Sequence, residues 1–188
     1  MIAASPTGTP RSLVLAASPS NHVSSAPVAI HSIPRSPPKF LSISAIDLST
    51  TVGALGLQPN GQVMVPNNTR TVSWFRYGPT PGQFGSSVIL GHVDSYTGPG
   101  VFFELKTLKP GAIIKVTLAD GKVASFIVVK VVQYSKLNFP DRLVYGSRGA
   151  QLLNLVTCGG VFDHQTGNYE SNIVVFSRLT NFSTVAKS

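Results

Sequence analysis

Residues 112–134 read AIIKVTLADGKVASFIVVKVVQY, two alternating runs rich in β-branched residues that meet at Asp120-Gly121. Alternation of apolar and polar positions is the period of a strand with one buried face. Asp-Gly between two such runs predicts a type I′ hairpin, whose central residues need positive φ. Further strands are expected at FLSISAIDL (40–48), GQVMVP (61–66), SSVILGHV (86–93), QLLNLVT (151–157) and NIVVFSRL (172–179), most of them bounded by Gly, Pro, Asn or Asp. That makes seven or eight strands. Only GVFFELKTL (100–108), closed by Lys109-Pro110-Gly111, reads as a helical turn. With no succession of strand, helix and strand, the pattern favours an all-β, closed or partly closed barrel over a doubly wound parallel sheet.

The composition agrees: of 188 residues, 43% are hydrophobic and only 12% charged, with 17 Gly and 14 Pro, so the chain is rich in turns and poor in the Glu and Lys of helical bundles. Its length suits one domain. Residues 1–36 are rich in Pro, Ser and Ala, contain no acidic residue and keep no period, which predicts a flexible tether ahead of a folded domain over 37–188. The run SLVLAAS (12–18) is too short to span a bilayer and lacks the cationic start of a signal peptide.

Fifteen Lys and Arg against seven Asp and Glu give a net charge of +8, compatible with nucleic acid, anionic lipid or an acidic cell envelope. The cations are scattered over the whole length and do not alternate with aromatics, so no nucleic-acid platform is expected. One Cys and four His give neither C-x-x-C nor H-x-x-x-H spacing. No metal or other cofactor is expected. The glycines lack the spacing of a phosphate-binding loop, and His164 sits in a polar loop as a solvated side chain.

Two strands end in reactive residues. SSVILGHVDS delivers His92 and Asp94; QLLNLVTCGG delivers Thr157 and Cys158, the single Cys, which excludes an intrachain disulfide. Cys158 is either a small core residue or a nucleophile, and His92 either a structural imidazole or its base. Gly159 and Gly160 favour the second reading, because they leave backbone accessible beside the sulfur. Asp94 either orients the site or caps the turn that follows it.

Taken in order, VSWFRYGPTPGQFGSSVILGHVDS (72–95), FFELKTLKPGAIIKVTLADGK (102–122), NFPDRLVYG (138–146) and LLNLVTCGGVFDHQTGNYESNIVVFSRL (152–179) resemble the sortases, specifically the actinobacterial class F. The resemblance implies an eight-stranded sortase-type β-barrel with short helical turns. It also implies a cysteine transpeptidase whose Cys158 attacks the Thr carbonyl of an LPXTG-like sorting signal. In that scheme His92 is the acid and base, and an envelope amine such as a cell-wall peptide amine is the acceptor. The implied partners are surface proteins bearing sorting signals; the implied place of work is outside the cytoplasmic membrane, held by an anchor not visible in this chain.

The resemblance fails at one position. Sortases carry an Arg at the start of the last strand, where NYESNIVVF has none, and Asn172 stands nearest to that position. Asn172, whose amide donates hydrogen bonds without charge, is the first candidate to serve the oxyanion; Arg142 and Arg178 compete with it. Thr157 and Arg142 are the expected substrate-binding residues. The competing functions are a sortase-like Cys hydrolase, an L,D-transpeptidase, which expects a His-Gly before its Cys that LNLVTCGG lacks, and a non-catalytic barrel that binds envelope proteins.

Overall fold

The structure, a computed structural model, describes residues 33–184. Its elements in chain order are β1 (Pro38–Ile43), β2 (Leu48–Leu55), β3 (Val72–Phe75), β4 (Gly85–Leu90), β5 (Asp94–Ser95), β6 (Gly98–Pro99), β7 (Ile113–Leu118) and β8 (Lys122–Ser135), then helix α1 (Asp141–Tyr145), β9 (Gln151–Asp163) and β10 (Asn168–Thr184). Single turns of 3₁₀ helix lie at Ser44–Ile46, Phe103–Thr107 and Lys136–Asn138. Eight strands close a barrel in the order β1-β2-β3-β4-β9-β10-β8-β7, with β7 pairing back to β1, and β5-β6 forms a separate two-stranded ribbon. The expected all-β barrel is the fold.

Strand alternation fills the barrel. Ile114, Val116 and Leu118 of β7, Ala124 and Phe126 of β8, and Leu153 and Leu155 of β9 point inward with Leu41 and Ile43 of β1. Phe126 and Phe102 are fully buried there, each removing a large apolar surface from water. The opposite faces of β9 and β10 carry a second apolar cluster, Val156, Val174 and Phe176, covered by Val144 of α1. Asn154 Nδ2 donates to Val144 O at 2.6 Å and Ser86 Oγ to Gly146 O at 2.6 Å, fastening that helix to the barrel wall.

The hairpin at 112–134 forms, but its turn is not type I′. Ala119, Asp120 and Gly121 make a three-residue loop in which Gly121 alone has positive φ (79°), and Gly121 N donates to Leu118 O at 3.0 Å. Asp120 keeps an ordinary φ because its carboxylate accepts from Lys122 N at 3.2 Å and pairs with Lys122 Nζ at 2.8 Å. This is a type I turn closed by a left-handed glycine.

FLSISAIDL is not one strand: a 3₁₀ turn at Ser44–Ile46 breaks it, and Asp47 follows with a φ of 50°. GQVMVP contributes only an isolated bridge, Leu57 to Val63. Strands β2 and β3, and helix α1, are additions to the sequence reading. Of the tether expected over 1–36, together with SLVLAAS, residues 1–32 lie outside the described residues. Residues 33–36 run along the barrel, where the Arg35 guanidinium sits 4.9 Å from the Trp74 ring centre and donates to Gly78 O at 3.1 Å.

Candidate active site

Strands β4 and β9 are parallel neighbours with Leu90 opposite Val156, and Gly91 N continues the ladder by donating to Val156 O at 3.1 Å. Parallel strands advance in the same direction, so two residues further on each, His92 and Cys158 emerge at the same end of the barrel. Both side chains are half-buried, and both border each of two clefts that meet at the pair.

The approach to His92 explains Gly91. A Cβ there would stand 2.7 Å from Phe102 Cδ2 and 2.8 Å from Val101 Cγ1, so only glycine lets the chain lie against the buried ring. His92 O then accepts from Phe102 N at 2.9 Å, which fixes the backbone under the imidazole. The ring is fixed too: His92 Nε2 lies 2.6 Å from Pro66 O. A carbonyl only accepts, so Nε2 carries the hydrogen and the lone pair of the neutral ring is on Nδ1.

Cys158 is the free thiol of the chain and lies inside β9, which continues past it to Asp163. The two glycines after it do different work. Gly160 has a φ of 82° and sits where β9 carries one residue more than β10, since Phe162 and Gly159 pair with Tyr169 and Ser171. It forms a bulge that bends the strand away beyond the thiol. Gly159 is buried, and a Cβ on it would meet Ile173 Cδ1 at 2.6 Å, so its role is close packing, not an accessible backbone.

Asn172 is directly opposite Cys158 in the β9–β10 ladder, on the same face, and borders the same cleft. Thr157 is opposite Ile173 and therefore faces the other side from Cys158, and its hydroxyl is buried with no partner among the described residues. Arg142 is exposed on α1 and stands outside the lining of both clefts; that helix contributes Asp141 and Tyr145 to the first cleft and no residue to the second. Arg178 pairs with Leu152, six residues along β10 from Asn172.

One cation that the sequence reading passed over does border both clefts: Lys136, exposed on the 3₁₀ turn after β8. Its signal was positional. Tyr134 of β8 pairs with Asn172, and Lys136 follows two residues later, beyond the strand end.

Asp94 caps no turn. Tyr169 Oη donates to Asp94 Oδ2, while the hydroxyl contacts of the β5–β6 turn come from Ser95. That bond, with burial and the charges of Asp94 and Cys158 behind it, pushes the Tyr169 hydroxyl up to about 12, so it stays a donor throughout the neutral range. Among the described residues, no three His, Cys, Asp or Glu side chains converge as metal ligands would.

The first cleft, about 700 Å³, runs from the pair between the 61–66 segment and α1. Its walls include Met64 and Val65, 41% and 60% exposed, with Leu90, Val156 and Tyr145. The second cleft, about 750 Å³, lies between the β5–β6 ribbon and the β9–β10 turn.

A closed eight-stranded barrel in which a thiol and an imidazole emerge together, each two residues past the last paired position of parallel strands β4 and β9, has the groups that cysteine acyl transfer needs. The sortase domain matches residues 41–180, and the chain belongs to the sortase family of cysteine transpeptidases. The fold is similar to that of sortase A from Listeria monocytogenes, with a TM-score of 0.61 and 15% identity over 81% of this chain and 92% of that one. It is also similar to sortase C1 from Streptococcus agalactiae (0.60, 16%, covering 76% and 67%) and to a lid mutant of sortase A from Corynebacterium diphtheriae (0.61, 16%, covering 79% and 73%). Among curated proteins no sequence matches it. No helix among the described residues is long and apolar enough to cross a membrane.

Proposed function

We propose that this protein is a sortase of the class F type that cleaves an LPXTG-like sorting signal and transfers the acyl part to an amine of the cell envelope. The observation that carries the reading is that His92 and Cys158 share the border of two clefts, as a transfer between two substrates requires. The first cleft takes the sorting signal: its exposed Met64 and Val65 and half-buried Leu90 offer an apolar wall to Leu and Pro side chains.

Cys158 attacks the Thr carbonyl as a thiolate, forming the S–C bond. His92 protonates the leaving amine as the peptide C–N bond breaks. In the second half the acceptor amine attacks the thioacyl carbon, His92 takes its proton, and the C–S bond breaks. The Asn172 amide, one strand away from the sulfur, and the Lys136 ammonium are the donors available to the oxyanion. The natural donors are surface proteins of a Gram-positive cell, and the place of work is the outer side of the cytoplasmic membrane.

Incubation with a fluorogenic LPXTG-type peptide and an added amine tests this. The wild-type chain releases the leaving peptide and accumulates a thioacyl adduct on Cys158, visible as a mass increase of the intact protein. Cys158→Ala lowers turnover by about 10³-fold or more. Equal turnover by the two chains overturns the reading.

A further inference from the structure

The second cleft has a chemistry of its own, and its role rests on the chain being a transpeptidase. Besides His92 and Cys158 it is lined by Asp94, Tyr96, Phe162 and Tyr169. Phe162 packs edge-on against Tyr169 and against His164, each with ring centres 5.1 Å apart, which makes a continuous aromatic wall from the β9–β10 turn. Tyr96, at the tip of the β5–β6 ribbon, is fully exposed across from it. Asp94 is the single carboxylate in the lining among the described residues. Tyr169 occupies its Oδ2, while Oδ1 accepts from no donor among the described residues. A half-buried carboxylate with a free oxygen, set among aromatic faces, is a receptor for an ammonium on an aliphatic stem.

We infer that this cleft is the acceptor subsite and that Asp94, positioned by Tyr169, recognises the acceptor amine in its ammonium form, with the aliphatic stem against Phe162 and Tyr96. Met64 and Leu90 border the first cleft alone, whereas Asp94, Tyr96 and Phe162 border the second alone, so the carboxylate and the aromatic faces that suit an ammonium lie together on this side of the pair. The location also suits the chemistry, since the cleft ends at the two groups that an arriving amine must meet. The ammonium bound at Asp94 sheds one proton through His92 to solvent, and the neutral amine attacks the thioacyl carbon. As the C–N bond forms and the C–S bond breaks, His92 takes its second proton and Cys158 leaves as the thiolate. No other reactant is needed.

The experiment starts from the thioacyl enzyme, formed first with an LPXTG-type peptide and freed of excess peptide. Two acceptors are then compared: Nα-acetyl-lysine amide, cationic at neutral pH, and hydroxylamine, uncharged there. Asp94→Asn is expected to raise the KM for the lysine amide by about tenfold or more, while aminolysis by hydroxylamine changes less than about twofold. Tyr96→Ala, at a side chain that supports nothing in the fold, is expected to raise the KM for the lysine amide alone by about two- to fivefold.

An equal loss with both acceptors in Asp94→Asn shows a carboxylate that only positions His92 and overturns the inference. So does an unchanged KM in both variants. If Asp94→Asn does not fold, Tyr96→Ala and Tyr169→Phe decide by the same contrast between acceptors. Absence of the thioacyl adduct on the wild-type chain is a separate result, because it overturns the transpeptidase reading before any acceptor is added.

Discussion

Asn172 stands directly across the β9–β10 ladder from Cys158, on the same face and in the same cleft. Directly opposed residues of an antiparallel pair have their Cβ atoms about 5 Å apart, within reach of an oxyanion forming on an acyl group bound to the sulfur. Asn172→Ala is therefore expected to lower kcat for peptide cleavage by about 10²-fold with little change in KM, because the lost donor acts on charge that develops only in the transition state. Asn172→Arg restores the guanidinium that sortases carry in this region and is expected to recover most of that loss. Lys136→Ala, measured alone and together with Asn172→Ala, separates the two donors. If Lys136 carries the oxyanion, its single variant shows the larger fall and the Asn172 variant hardly any.

The bond from His92 to Pro66 O predicts a fixed tautomer. In the ¹⁵N spectrum of the imidazole at a pH where the ring is neutral, Nε2 is expected to show the signature of a protonated nitrogen and Nδ1 that of a bare one. On acidification Nδ1 is the nitrogen that gains the proton. A spectrum with the hydrogen on Nδ1 would contradict the geometry and require the ring to turn before it works as a base.

The two glycines after the thiol predict different costs. Gly160→Ala places a side chain at a φ of 82° and also brings its Cβ within 2.9 Å of Ser171 Oγ; it is expected to destabilise the protein by about 1–2 kcal/mol, and the backbone part of that cost persists when Ser171 is truncated. Gly159→Ala brings a Cβ against Ile173 Cδ1 and Cγ1, a clash of side chains only. Truncating Ile173 to Ala in that background removes the clash, so denaturant midpoints are expected to show a coupling of about 1 kcal/mol or more between the two sites. Additive effects would mean that Gly159 is there for its backbone.

The parts legible in the sequence were those with strong periodicity: the alternating runs of β7 and β8, and the apolar runs that became β4, β9 and the core of β10. Of the candidate site, the meeting of His92 and Cys158 was legible where reactive residues follow such runs, because parallel pairing of β4 with β9 carries both to one place. The rest lacked such a signal. In β2, LSTTVGAL buries only Thr50 and Leu55, so it reads as a polar segment although the barrel cannot close without it. The 61–66 segment errs the other way. Its apolar residues imitate a strand, yet Met64 and Val65 stay exposed as the wall of a cleft, and local pattern does not distinguish a core face from a ligand-binding one. Lys136 was passed over for a related reason: its place beside both clefts comes from the strand end that it follows and not from its neighbours in sequence.

The last expectation concerns alkaline pH. Burial, with the charge of Asp141 adding to it, pushes the Tyr145 hydroxyl up to about 12 from an ordinary value near 10. The folded state holds its proton more tightly than the unfolded chain does. The corresponding stability is complete below pH of about 10, declines as the unfolded tyrosine ionises, and is gone once pH passes about 12. Across that window Tyr145 accounts for at most roughly 2 kcal/mol of the decline. Tyr145→Phe removes the ionisable group and leaves the ring in the cleft wall, so urea midpoints of the variant are expected to fall less steeply than those of the wild type between pH 10 and 12. Tyr169 titrates in the same interval, so some decline persists in Tyr145→Phe, and Tyr169→Phe is expected to reduce that remainder. Identical slopes in the wild type and Tyr145→Phe would show that the Tyr145 hydroxyl is solvated, and with it that the first cleft is open to water beside α1.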